Sequence, residues 1–264
     1  MLPAVRPATV LRTALVIATL LTAVSLWIRI AALDQHDTPG FRDVRNPSGL
    51  AVAYRLFSVD DEANIPTWFS VILLAAIAAT SLGIGVLQRS RRAPLHRYWL
   101  GLAAVFGYLS LDELSVVHEE LIWQIGDLAD SGGVFTHAWV VVGGPLVVVF
   151  ALVYLRFLWR LPRHIAQLLV LSGALYVGGA LGLEMAGGPH VGFNTTYVLL
   201  TGGEEFLEMV GAAVCLYTVM RYAWELLHGT EGAPAHPAPT AQRDVGGRNT
   251  ANGSVTSSSG ETNR

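Results

Sequence analysis

Long hydrocarbon stretches alternate with polar connections along this chain, and six of the stretches are long enough to cross a membrane. They fall near 10–30, 68–87, 98–121, 138–158, 165–186 and 205–224. A helix needs about 20 mostly apolar residues to cover a hydrocarbon core of about 30 Å. The alternating segments of about ten residues that build a membrane β-barrel do not occur. The pattern therefore predicts an all-α polytopic membrane protein, a six-helix transmembrane bundle within residues 1–228. Beyond it, Gly, Ser, Thr, Pro and Asn fill 229–264, and that stretch is expected to be a disordered tail.

The arginines orient the bundle. Basic residues collect in cytoplasmic loops, and Arg89, Arg91, Arg92 and Arg97 follow the second stretch. Arg156, Arg160 and Arg163 follow the fourth, and Arg221 closes the sixth. The loops 122–136 and 187–203 hold no arginine. Both termini are thus expected to be cytoplasmic, in the cell membrane, with the long loop 34–66 facing outward. Arg6 and Arg12 precede the first stretch as in a signal peptide, but its apolar run is too long and lacks an Ala-x-Ala site, so it is expected to be retained.

Composition adds two exclusions. The single Cys215 permits no intrachain disulfide. All 17 basic residues are arginine, so no lysine can form a Schiff base.

Acids interrupt the hydrocarbon in an ordered way. An ionisable group inside a bilayer costs at least about 2.5–3.5 kcal/mol, so such groups tend to mark a site. Asp112, Glu113, His118, Glu119 and Glu120 crowd the third stretch, Glu184 ends the fifth, and Glu204, Glu205 and Glu208 open the sixth. With the orientation above, all three groups arrive at one level, the outer third of the membrane. Asp112, Ser115 and Glu119 share a helix face, and Glu113 and Glu120 lie about 100° round. Glu184 continues a face of Gly173, Val177 and Ala180, and Gly211, Ala212 and Cys215 continue the Glu204/Glu208 face. These small residues predict close packing of the fifth and sixth spans. Glu204 is expected at a solvated helix end, and His137 and His190 as interfacial residues. Asp60, Asp61 and Glu62 precede Asn64-Ile-Pro66, a helix start. Arg29, at the end of the first span, is the basic residue placed to neutralise one acid.

Three segments in order resemble a set of uncharacterised bacterial multi-pass membrane proteins: Asp61-Glu62-Ala-Asn64-Ile-Pro66-Thr, Leu109-Ser110-Leu111-Asp112-Glu113 with His118-Glu119 following, and Glu204-Glu205-Phe-Leu-Glu208-Met209. The resemblance covers most of 53–222 and implies a shared fold and a shared polar site. CaaX-type proteases carry Glu-Glu-x-x-x-Arg, a pattern that Met209 breaks here.

Crowded carboxyls must bind a cation or share protons. One reading is a metal-dependent enzyme acting on a membrane lipid or isoprenoid. Glu113, His118, Glu184, Glu205 and Glu208 would hold a divalent metal ion, with Asp112 or Glu119 as proton acceptor. A second is a proton- or cation-coupled transporter or sensor. A third is a structural membrane protein without catalysis. No nucleic-acid partner is expected, and the oligomeric state stays open.

Overall fold

The computed structural model describes residues 6–35, 37–117 and 139–229, with side chains from 142 in the last segment. All regular structure among them is helical. Four helices are long and apolar enough to cross a membrane: Pro7–Ala32, Ile65–Ser90, Arg163–His190 and Thr195–His228, with a shorter apolar helix at Val142–Leu158. The protein is a helical membrane protein by that measure.

The elements in chain order are α1 (Pro7–Ala32), α2 (Pro39–Arg42), α3 (Gly49–Phe57), α4 (Ile65–Ser90), α5 (His96–Ser115), α6 (Trp139–Leu158) and α7 (Arg163–Val177). A π-helix (Gly178–Leu183), α8 (Glu184–Gly187), a 3₁₀ turn (Gly188–His190) and α9 (Thr195–His228) follow. α9 is the hub, packed against α1, α4 and α7, while α5 lies along α4. Apolar side chains lock these contacts: Leu74, Ile77, Trp99, Phe157, Ile165 and Val219 are nearly inaccessible. At the end of the bundle where α9 finishes, Trp99 stacks on Tyr222 with centroids 4.7 Å apart and meets Phe157 edge-on at 5.2 Å. There Tyr222 accepts from the Gln88 amide at 2.8 Å, and Glu225 joins Arg221 to His164 of α7.

Helix starts follow local chemistry. The Asn64 side chain accepts from Thr67 N at 3.1 Å with Pro66 in the first turn, so α4 begins at the expected signal. α9 begins earlier than the apolar pattern suggested, because Asn194 caps it by accepting from Tyr197 N at 2.9 Å. The polar stretch Thr195-Thr196 and the run Gly202-Gly203-Glu204-Glu205 had hidden that first portion of helix. Glu204 and Glu205 therefore lie well inside α9 rather than at its opening, and Glu204 is only 7% exposed instead of solvated. α5 ends at Ser115, where Val116 turns left-handed at φ 55°, a costly conformation for a β-branched residue. Val117 is helical again, and the rest of the stretch expected to reach 121 lies outside the described residues. His118, Glu119, Glu120 and His137 lie outside the described residues.

The fifth expected span, 165–186, is three elements. Gly211 lets α9 approach α7 closely: a Cβ added there would come within 2.7 Å of Tyr176 N, and Ser172 Oγ donates to Gly211 O at 3.0 Å. The close packing of small residues is as expected, but the face is Ser172 and Tyr176 of α7 with Gly179 of the π-helix, not Gly173, Val177 and Ala180. Gly173 has open space beside it. The π-helix that follows then sets the phase of Glu184. It inserts one residue into the helical register, and one residue is a rotation of about 100°. Glu184 is thereby carried off the Gly173 line and onto the Tyr176 line, facing α9.

Candidate functional site: a carboxyl cluster beneath an arginine corner

Arg29, in the last turn of α1, is 2% exposed. Its Nη2 donates to Asp60 Oδ2 at 2.7 Å and its Nη1 to Thr201 Oγ1 at 2.7 Å, so α1, the α3–α4 turn and α9 are tied at one point. The turn is itself held in shape. Asn64 Nδ2 donates to Ser58 O at 2.6 Å and Asp61 O at 2.8 Å, while Val59 N donates to the buried Ser25 Oγ at 2.9 Å. The Asp-Glu-Ala-Asn-Ile-Pro-Thr segment is thus a knot that caps α4 and presents Asp60 to Arg29. Burial and the neighbouring Asp60 push the Asp61 carboxyl above its ordinary value, and Arg29 pulls it partly back. Tyr54 is raised as well, by burial and by Asp61.

The carboxyl cluster lies deeper along α9. Glu204 sits within hydrogen-bond reach of Glu184 and feels the charges of Glu208 and Glu205. Glu205 is acted on by Glu208, Glu113, Asp60 and Glu184. Glu208 feels the charges of Glu113 and Glu184, and the Tyr176 hydroxyl donates to it. Gly179 makes this approach possible, since a Cβ there would come 2.7 Å from Glu204 O and 3.1 Å from Glu208 Cγ. Tyr197 links the two regions: its hydroxyl donates to Asp60 Oδ1 at 3.4 Å, and it feels both Glu184 and Glu204.

Of the residues singled out from sequence, Glu113, Glu184, Glu204, Glu205 and Glu208 lie near enough to feel one another's charges. Asp112 is not among the groups acting on Glu204, Glu205 or Glu208. It acts on Tyr108, which is half exposed, and its carbonyl accepts from Val116 N at 2.7 Å. Ser110 donates to Val71 O at 3.1 Å and Ser115 is exposed, so neither is aimed at the acids. His190 is exposed, its Nδ1 3.2 Å from Ala186 O. Among the described residues no three His, Cys, Asp or Glu side chains form a group that could hold a metal ion. One cavity on this side of the bundle has Arg29 and Asp60 in its wall and none of the acids of α5 and α9.

A family described as a domain of unknown function, DUF8692, matches residues 10–222. The chain belongs to this family. The matched stretch spans the residues of both the arginine corner and the carboxyl cluster. No curated protein and no solved structure matches the chain.

Sequence reasoning missed Thr201, Tyr176 and Tyr197 because hydroxyls raise no alarm among apolar residues. The nearest signal was position. Tyr197 and Thr201 are four apart on α9, and so are Thr201 and Glu205, which puts all three near one helix face.

Proposed function

We propose that this protein is a proton-coupled transporter or sensor of the cell membrane, a six-span bundle with both termini cytoplasmic. The arginines support that orientation: Arg89, Arg91, Arg92, Arg97, Arg156, Arg160, Arg163 and Arg221 all belong to the end of the bundle opposite Asp60. The outer end then carries the carboxyls.

The observation that carries the proposal is the Glu184–Glu204 pair. Two carboxyls can hydrogen-bond to each other only when they share a proton, and Glu204 is only 7% exposed beside Glu184. Hydroxyls and carboxyls continue on either side, from Asp60 through Tyr197 to Glu204, and through Glu205 and Glu208 to Tyr176 and Glu113. Such a series suits stepwise proton transfer, the common use of carboxyls inside membranes. The described acids lend no support to the metal-dependent reading.

The test is proton movement in proteoliposomes that hold a pH-sensitive dye under an imposed pH gradient. Wild-type protein is expected to carry protons, and Glu205→Gln to lose most of that flux. Proton uptake by the purified protein without flux would assign a sensor. Neither uptake nor flux dependent on Glu204, Glu205 or Glu208 would overturn the reading.

A further inference from the structure

A cavity of about 200 Å³ opens beside the arginine corner. Its wall includes Arg29, Asp60, Tyr54, Phe193, Tyr197 and Val198. Three independent features point to an occupant.

The first is an unmatched donor. Arg29 is 98% buried by its 2% exposure, and its Nη atoms are engaged by Asp60 and Thr201, yet among the described residues its Nε–H has no acceptor. A buried guanidinium N–H without a partner favours any ligand oxygen that reaches it, most of all a charged one. The second is the juxtaposition of charge: the same wall presents a cation and a carboxylate only 2.7 Å apart. The third is aromatic. Tyr54 and Phe193 stack at 6.2 Å, Phe41 meets Tyr54 edge-on at 5.5 Å, and the Tyr197 hydroxyl reaches Asp60. Ring faces beside a carboxylate suit an ammonium group.

Neither charge alone makes a complementary ligand. A simple anion would meet the repulsion of Asp60 and Asp61, and a simple cation that of Arg29. We infer that the cavity binds a small zwitterion, its oxyanion taken by the Arg29 guanidinium and its ammonium by Asp60 and the flanking tyrosine rings, with an apolar body against Val198. Free amino acids and zwitterionic lipid headgroups share this chemistry. The inference stands apart from the proton-sharing carboxyls, because a bundle that moves no protons could still hold such a ligand.

Isothermal titration of the purified full-length protein in detergent tests it. The probes are L-leucine and glycerophosphoethanolamine, with 4-methylpentanoate and 3-methylbutylamine as versions of leucine that lack one charge. One zwitterion is expected to bind saturably and about tenfold or more tighter than either single-charge analogue, as expected when one charge pair is lost. Leucine binding assigns a free amino acid, and preference for glycerophosphoethanolamine assigns a lipid headgroup. Arg29→Met removes the central group but also loosens the bundle. Val191→Trp therefore serves as the second variant: it fills the cavity from a half-exposed loop position and leaves the ion pair alone. It should abolish binding while keeping the thermal midpoint of the unliganded protein. Failure of both zwitterions to bind, equal binding by a single-charge analogue, or full binding by Val191→Trp would overturn the inference.

Discussion

The arginine corner and the carboxyl cluster lie next to each other on α9 and handle charge in opposite ways. At the corner a buried cation meets a carboxylate and a hydroxyl in fixed geometry, and the Asn64 knot holds the carboxylate in place. In the cluster carboxyls face carboxyls, with a tyrosine hydroxyl among them. A pair of opposite charges is a fastener: it tolerates neither loss nor neutralisation of one partner. A set of like groups holds together by sharing protons, so neutralising one member removes function before it removes structure.

Arg29→Met should have the largest effect. It strands Asp60 at a partly buried position and is expected to cost about 3 kcal/mol of unfolding free energy, the usual scale for breaking a buried ion pair from one side. Thermal unfolding in detergent reads this, and Arg29→Met with Asp60→Asn should recover most of the loss. A double variant as unstable as the single one would show that the corner is not a charge pair in energetic terms. Gly179→Val comes next. It drives a side chain into Glu204 O and Glu208 Cγ, and overpacking of this kind costs about 1–3 kcal/mol. Because it pushes the π-helix off α9, it should also lower proton uptake, which ties the geometry of the cluster to its chemistry.

Glu205→Gln should change stability by less than about 1 kcal/mol, and upward, since it puts a permanently neutral amide where Glu208, Glu113, Asp60 and Glu184 act on a carboxyl. The contrast with Arg29→Met is the sharpest form of the comparison. The smallest effect belongs to Asp61→Asn. The folded state raises the Asp61 carboxyl above its unfolded value, so the native protein holds the proton more tightly. Stability from this group is therefore full below the unfolded value and falls as pH rises through the folded one. Asp61→Asn should flatten that acid-side slope, measured as the unfolding midpoint against pH.

Much of this was written plainly in the chain. Helicity followed from run length, and the α4 start followed from Asn64 and Pro66, because capping and proline chemistry are local. Glu113, Glu184, Glu205 and Glu208 could be grouped because each stands out against hydrocarbon. Partnership was harder to see. Nothing near Arg29 in sequence names Asp60 or Thr201, which are 31 and 172 positions away. Helical phase also failed past Gly178, because reading at 3.6 residues per turn assumes a uniform helix and the π-helix breaks that assumption.

That same irregularity has a mechanical consequence. A π segment is one surplus residue stored in a helix, and surplus can travel: passing it by one peptide toward either end exchanges one backbone hydrogen bond for another. Each such hop rotates only the residues it passes, so Glu184 can swing toward or away from Glu204 while α7 and α9 keep their axes still. Motion at the acids then calls for a ripple along one strand of backbone, not the tilting of whole helices against lipid.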